Sequence, residues 1–230
     1  MHNVVDLTLR VIDWQARRII ASRFPPVSLF ERIVDPDEYD IAYYIESLTN
    51  DRLRQEAGDL ALVPPEQRIC GPGSTPVMAS FTHIGHASRF TDGSYGVYYA
   101  ANNSATAIAE TAYHRARFLA ATAEPDTSIF MREYVGAVLQ PMADISSGDF
   151  AYLHHPDDYT PSQVFASAQR ARGHAGLLYL SVRNPGGFCL AAFKPNALQP
   201  VVQAAHYEYF YSASQRKIKY VLEVKEVAGF

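Results

Sequence analysis

Residues 89–114 read RFTDGSYGVYYAANNSATAIAETAYH, a stretch that combines a turn, a strand and the start of a helix. Its first residues are rich in Gly, Ser and Asp, which is typical of a turn. VYYAA at 97–101 contains the β-branched and aromatic residues that favour strands. The Ala-rich segment 104–121 begins with Ser, a good N-terminal cap, and predicts a helix. Three polar residues lie near the junctions between these pieces: Arg89, Tyr99 and Glu110.

Glu110 falls on the polar side of the predicted helix, together with His114 and Arg117. The opposite side is apolar and contains Ile108, Ala109, Ala112, Ala116 and Leu119. A solvated helix face with weak i,i+4 pairs gives this pattern. A carboxylate that faces a polar cleft gives the same pattern, so periodicity leaves both interpretations open.

The segments around this stretch predict a mixture of helices and strands. Helices are predicted over 4–22, 36–48, 51–58 and 160–173. Strands are predicted at 27–34, 77–81, 128–139, 176–181, 188–193, 206–212 and 217–224, the last two forming an antiparallel hairpin. Few helices separate the later strands, so we expect an α+β fold with a compact mixed sheet core and flanking helices.

A Pro- and Gly-rich segment, VPPEQRICGPGSTP at 63–76, predicts a boundary within the chain. We expect a helical N-terminal extension over 1–75 and the main domain over 76–230. Positive charge is concentrated near the start, at Arg10, Arg17, Arg18 and Arg23. The simplest interpretation of this cluster is a solvated helix face.

Composition excludes several classes of protein. The 230 residues are 48% apolar and 19% charged, as in an ordinary globular domain. The sequence contains no apolar run long enough to span a membrane and no uninterrupted signal-peptide core. Two cysteines, Cys70 and Cys189, argue against a disulfide scaffold and fit the cytoplasm. A net charge of -4 argues against a surface that binds nucleic acid generally.

Common catalytic motifs are missing from the sequence. It has no G-x-S-x-G motif, no phosphate-binding loop and no G-x-G-x-x-G after a strand. A loop with His154, His155, Asp157 and Asp158 contains residue types that bind metals. The loop precedes a capped helix, so we interpret it as a polar surface loop and expect no metal site. A metal-dependent hydrolase at the two histidines is the alternative.

The positions of four residues resemble the pattern of RES-domain toxins from bacterial RES–Xre type II toxin–antitoxin pairs. The family pattern is an Arg, a strand Tyr about ten residues later, a Glu on the next helix and a Ser after a late strand. These fall on Arg89, Tyr99, Glu110 and Ser181, the last within GLLYLSVRNPGG. PVSLFERIV and SLTND are similar to the N-terminal part of the family's longer branch, so the resemblance covers residues 26–230.

The resemblance implies an ADP-ribosyltransferase-like fold with NAD⁺ as substrate and no tightly bound cofactor. Cleavage of the nicotinamide–ribose bond develops positive charge on the ribose, which a fixed carboxylate such as Glu110 stabilises. Arg89 suits the pyrophosphate, and the Tyr99 ring suits the nicotinamide. Ser181 would bind the substrate or orient Glu110, and His114 is a candidate supporting residue one helical turn later.

The resemblance also implies a biological role and partners. ADP-ribose passes to a protein, to water or to phosphate; the longer branch is associated with modification of phosphoribosyl-pyrophosphate synthetase, and growth arrest follows. The expected partner is an Xre-type helix-turn-helix antitoxin that blocks the cleft, in a multimeric complex. DNA contact then belongs to the antitoxin. A binding module that keeps the fold without the chemistry is the alternative from another class.

Overall fold

The computed structural model describes residues 7–22 and 58–225. Within these ranges the backbone forms a nine-stranded sheet and three α-helices. The strands are β1 (Leu9–Arg10), β2 (Ala16–Ala21), β3 (Tyr98–Ala101), β4 (Thr127–Gly136), β5 (Met142–Asp144), β6 (Gly176–Leu180), β7 (Phe188–Ala192), β8 (Val202–Ser212) and β9 (Lys217–Val224). The helices are α1 (Thr75–Thr82), α2 (Ser104–Ala121) and α3 (Thr160–Ala171). Short 3-10 turns occur at Leu60–Leu62, Pro65–Gln67, Gly148–His154 and Pro195–Ala197.

The strand order in the sheet is β1-β5-β6-β7-β3-β2-β4-β8-β9. Neighbouring strands are antiparallel except β5 and β6, which are parallel. The sheet is therefore mixed, and the predicted α+β class is confirmed.

Different helices bury the two faces of the sheet. Successive side chains of a strand point to opposite faces. Tyr98 accordingly packs with Met78 of α1, whereas Tyr99 belongs to the cluster that contains Ala107 of α2 and Ala166 of α3. The two tyrosines therefore point to opposite faces of the sheet.

The sheet has a seam between β3 and β2. These strands pair at one register position, where Arg17 lies opposite Ala101, whereas β2 pairs with β4 at six positions. Arg18 bridges the strands at the seam: its Nη1 donates to the carbonyl oxygen of Tyr99 at 3.0 Å. Its guanidinium carbon also lies 4.7 Å from the ring centroid of Tyr98. The seam is thus a weakly paired line that divides the sheet into two halves.

The helix predicted over 4–22 is wrong for residues 7–22, where the chain forms β1 and β2. Leu9 shares a helical spacing with Ile12, Ala16 and Ile19, but its side chain is 55% exposed whereas theirs are buried. The backbone of β2 pairs with β4 along its whole length, and this tertiary pairing outweighs the weak helical period. The solvated helix face predicted for the arginine cluster is also wrong where it is described, since Arg10, Arg17 and Arg18 lie on strands.

The strand predicted at 77–81 is wrong as well, because these residues belong to α1. A short apolar run fits a buried helical turn as well as a strand. Pro76 lies in the first turn of α1, where its missing N–H costs nothing. Val77, Met78 and Phe81 then form the buried side of the helix.

Every predicted element that begins after residue 96 is confirmed, with small shifts at the ends. The cap of α2 differs from the prediction, because Asn103, rather than Ser104, accepts from the backbone N–H of Thr106, at 2.8 Å. The N-cap residue of α3, Tyr159, makes no capping hydrogen bond through its side chain. The Gln163 amide instead donates to the carbonyl oxygen of Ser88 at 2.8 Å.

The strand predicted at 27–34 and the helices predicted over 36–48 and 51–58 lie outside the described residues, save Gly58. The division of the chain after residue 75 stays a prediction, although β2, from the proposed extension, lies inside the sheet. Across 7–22 and 58–225, no helix combines the length and apolar character that crossing a membrane requires.

Candidate active site

A cavity of about 290 Å³ lies beside the seam, beneath α2. Four residues of its wall are arginines: Arg17, Arg18, Arg89 and Arg115. One acidic residue, Glu110, and three residues with aromatic rings, Tyr99, His114 and Tyr179, also belong to the wall. Ser88, Thr111 and Cys189 also line it. The structure therefore brings Arg89, Tyr99, Glu110 and His114 to one cavity, whereas Ser181 lies behind Glu110.

Glu110 is held by a short chain of hydrogen bonds. The hydroxyl of Ser181 donates to Glu110 Oε1 at 2.6 Å. Ser181 Oγ in turn accepts from the backbone N–H groups of Arg183 and Asn184, at 3.1 and 3.0 Å. Because two donors occupy the lone pairs of the hydroxyl, its proton points at the carboxylate. Among the described residues Oε2 has no hydrogen-bond partner, so the fixed carboxylate keeps one oxygen available.

Tyr99 presents its ring to the cavity while its phenol is fixed elsewhere. The phenol oxygen accepts from the backbone N–H of Phe90 at 3.0 Å and shares a 2.7 Å hydrogen bond with Ser88 Oγ. Burial raises the pKa of Tyr99 to about 12. The phenol therefore stays neutral, and the residue offers a flat wall rather than an acid or a base.

Arg89 is 7% exposed, and backbone groups on two sides hold it in place. Its Nη1 donates to the carbonyl oxygens of Leu153 and His155, at 3.3 and 2.8 Å. The guanidinium also lies 4.6 Å from the ring centroid of Tyr159. From α3, the hydroxyl of Ser162 donates to the carbonyl oxygen of Arg89 at 2.7 Å. No carboxylate among the described residues forms an ion pair with Arg89, so its charge is available to a ligand.

Sequence reasoning missed three cavity arginines. Arg17 and Arg18 come from β2, and Arg115 comes from α2. No short motif marks them, although reading ARRIIA as a strand would have placed the first two in the sheet. Four arginines against the single carboxylate of Glu110 give the cavity a positive field that favours an anionic ligand.

The other titratable groups of the cavity are held neutral near pH 7. Burial raises the pKa of the Cys189 thiol to about 12 and that of Tyr179 well above its ordinary value. Desolvation lowers the pKa of His114; nearby Glu110 opposes this effect, and Arg183, Arg89 and Arg117 reinforce it. Cys189 is therefore a poor nucleophile, and His114 is neutral at pH 7.

A clamp outside the cavity fixes the turn that follows Ser181. The guanidinium of Arg183 lies 3.4 Å from the ring centroid of Tyr113 on α2. The Tyr113 phenol donates to Asp157 Oδ1 at 2.6 Å, and the same oxygen lies 3.8 Å from Arg183 Nη2. Arg183 also donates to the carbonyl oxygen of Pro156. The clamp joins α2, which carries Glu110, to the loop whose carbonyl oxygens accept hydrogen bonds from Arg89. It therefore links the supports of Glu110 and Arg89.

The histidines considered as metal ligands have other contacts. His154 Nδ1 lies 2.9 Å from the carbonyl oxygen of Phe150, and its Nε2 accepts from the backbone N–H of Leu180. His155 Nδ1 accepts from the N–H groups of Asp157 and Asp158. Within the described residues no cluster of His, Cys, Asp or Glu side chains is suited to hold a metal ion.

The pattern for the RES domain matches residues 65–212, which contain every predicted site residue. This chain belongs to the RES domain family. Over 211 residues it is 27% identical to the uncharacterized protein y4oC of Sinorhizobium fredii, a match that covers 90% of this chain and 86% of that one. The RES domain match begins after β2, so the family pattern omits the strand that supplies Arg17 and Arg18.

One solved structure similar to this RES domain protein is that of the M. tuberculosis MbcT–MbcA toxin–antitoxin complex. The similarity has a TM-score of 0.44 at 8% sequence identity, and it covers 90% of this chain and 89% of that chain.

Proposed function

We propose that this RES domain protein is the toxin of a toxin–antitoxin pair. It cleaves the nicotinamide–ribose bond of NAD⁺ and transfers ADP-ribose to a protein acceptor. The observation that carries the proposal is the Glu110 carboxylate, fixed by Ser181 in a cavity lined by four arginines. A positioned anion suits a cationic transition state, and the arginines suit the phosphates of the substrate.

The chemistry requires little beyond positioning. When the nicotinamide–ribose bond breaks, its electron pair leaves with the nicotinamide and the ribose carbon becomes oxocarbenium-like. Oε2 of Glu110 stabilises this charge and accepts from a ribose hydroxyl. A preorganised group of this kind contributes about 10²–10³ in rate. A nucleophilic side chain of the acceptor then bonds to the ribose carbon and loses its proton.

The remaining cavity residues hold the substrate. The Tyr99 ring packs against the nicotinamide, and Arg18 and Arg89 bind the pyrophosphate. Ser181 orients Glu110, and His114 supports it from the next turn of α2. The cavity volume is near the lower limit for small-molecule sites, roughly 300 Å³. It suits the nicotinamide–ribose end of NAD⁺ more than the whole dinucleotide.

The acceptor and the partner follow from the family resemblance. An ADP-ribosyltransferase-like enzyme of the longer branch would modify phosphoribosyl-pyrophosphate synthetase and arrest growth. An Xre-type antitoxin would cover the cavity and suppress the reaction. NAD⁺ enters as a substrate, so no tightly bound cofactor is needed.

Nicotinamide release from NAD⁺ by the purified protein tests the proposal. Glu110→Gln should lower the rate about 10²–10³-fold. Glu124→Gln, an exposed change of the same kind just beyond α2, should leave it unchanged. Equal trace release by wild type and Glu110→Gln, with and without cell extract, would refute an NAD⁺-cleaving function.

The same assay with labelled NAD⁺ in lysate separates transfer from hydrolysis. Label on a protein band supports transfer, whereas label in small molecules alone makes the enzyme an NAD⁺ glycohydrolase or phosphorylase. Binding of ADP-ribose without nicotinamide release would make the chain a binding module.

A further inference from the structure

The four cavity arginines differ in what compensates their charge. Arg17 forms a 3.3 Å ion pair with Glu133, and Arg18 and Arg89 donate to backbone carbonyl oxygens. Arg115 has neither a hydrogen bond nor an ion pair within the described residues. Arg115 is half-buried in the cavity wall, and this partial burial lowers its pKa, while the nearby Tyr209 opposes the effect. A partly desolvated cation without an anionic partner favours the binding of an anionic ligand.

Arg115 and Glu110 both lie on the cavity wall and both come from α2. The two residues are five positions apart, which corresponds to roughly 7.5 Å along the helix axis and about 140° around it, so they flank the face of α2 that borders the cavity. In NAD⁺ the ribose carbon that loses nicotinamide is separated from the nearest phosphate by the ribose ring and one methylene. A substrate with that carbon at Glu110 and its first phosphate at the other side of the same cavity would place that phosphate near Arg115.

We propose that Arg115 forms a phosphate subsite that binds the phosphate next to the nicotinamide ribose. The inference rests on the proposed function, because it places the reacting carbon at Glu110. It assigns a specificity to the cavity: nucleotides bind through this phosphate, whereas the corresponding nucleoside gains nothing from Arg115.

Steady-state kinetics with two substrates test the subsite. For Arg115→Gln we expect the KM for NAD⁺ to rise about 10- to 100-fold with little change in kcat. The kinetic constants for nicotinamide riboside, which has no phosphate, should not change. Arg117→Gln is the matched control, since it removes the same charge two residues later on α2, outside the cavity. Equal effects of the two variants on NAD⁺, or an equal loss for both substrates with Arg115→Gln, would overturn the subsite.

A binding measurement separates this inference from the proposed function. Calorimetric titration with ADP-ribose should show weaker binding to Arg115→Gln than to wild type or Arg117→Gln, at matched thermal stability. That result upholds the subsite even where no nicotinamide is released and the proposed reaction fails. Equal affinity for all three proteins, or no binding to wild type, would show that Arg115 is not a phosphate ligand.

Discussion

The two halves of the sheet that meet at the seam supply the cavity in different ways. The half with β3, β7 and β6 contributes Tyr99 and, just past β6, Ser181; both are held by hydrogen bonds to backbone groups. The half with β2 and β4 contributes cations, Arg17 and Arg18. The helix α2 lies across both and carries Glu110. Under the proposed function, the first half would position the carboxylate and the second would add positive charge that attracts an anionic substrate.

Arg17 and Arg18 are adjacent on β2, and separate substitutions of the two test this division. Glu133 is 2% exposed, and Arg17 is its ion-pair partner at 3.3 Å. Removing one partner of a buried pair leaves an uncompensated charge. We expect Arg17→Met to lower the free energy of unfolding by about 3 kcal/mol, as measured by urea denaturation. Ser104 still donates to Glu133, so a loss well below 1 kcal/mol would mean that this hydroxyl is sufficient.

Arg18→Met should give the opposite pattern. Burial lowers the pKa of Arg18, its Nε has no partner among the described residues, and no carboxylate there forms an ion pair with it. Methionine keeps the apolar contact with Tyr98 and removes the buried charge. We expect stability within about 1 kcal/mol of wild type and kcat/KM for NAD⁺ lowered about 10- to 100-fold. Unchanged activity would remove this half of the sheet from substrate binding.

Ser181→Ala tests the other half. The change removes the one described hydrogen bond that fixes Glu110, and it leaves the cavity arginines in place. We expect kcat to fall about 10-fold, with a smaller change in KM, because the carboxylate loses its orientation rather than its charge. Ser94→Ala is the matched control, since Ser94 also donates to a carboxylate at 2.6 Å, on Asp92, away from the cavity. A KM effect without a kcat effect would instead make Ser181 a substrate ligand.

The strand and helix within 89–114 could be predicted because each has a clear local composition. The choice of Arg89, Tyr99 and Glu110 as site residues came from the resemblance to RES-domain toxins, and the structure brings all three to one cavity. The support of Glu110 by Ser181 was also among the predicted roles. The geometry adds that Ser181 lies behind the carboxylate rather than on the cavity wall.

The other half depends on tertiary pairing that no short segment encodes. Residues 16–21 pair with β4, more than a hundred residues later, and only that pairing makes them a strand. The arginines of β2 were therefore interpreted as a solvated helix face. Arg115 was missed for a different reason: it follows Glu110 by five residues, and no motif distinguishes a cavity arginine from a surface one.

A substitution in the clamp tests whether the half of the sheet that leads to Ser181 depends on the contacts of Arg183 with Tyr113 and Asp157. Tyr113→Phe keeps the ring beneath Arg183 and removes the 2.6 Å hydrogen bond to Asp157. We expect kcat/KM for nicotinamide release to fall about 2- to 5-fold, because a hydrogen bond of this kind contributes about 0.5–1.5 kcal/mol and part of it is replaced by water. Tyr220→Phe, on the exposed strand β9, should have no effect. Equal rates for both variants would limit the clamp to a packing role.

The smallest expected effect concerns His114, on the helix that crosses the seam. Its pKa is lowered by desolvation and by Arg183, Arg89 and Arg117, against an opposing effect of Glu110. As the pH falls below the ordinary pKa of 6.5, His114 takes up a proton more readily in the unfolded chain than in the folded chain. The free energy of unfolding therefore falls as the pH falls. Urea denaturation at pH 7.5, 6.5 and 5.5 should show a shallower decline for His114→Gln than for wild type. The decline should not vanish, because desolvation also lowers the pKa of His154. Identical slopes would mean that the pKa of His114 is not lowered in the folded chain.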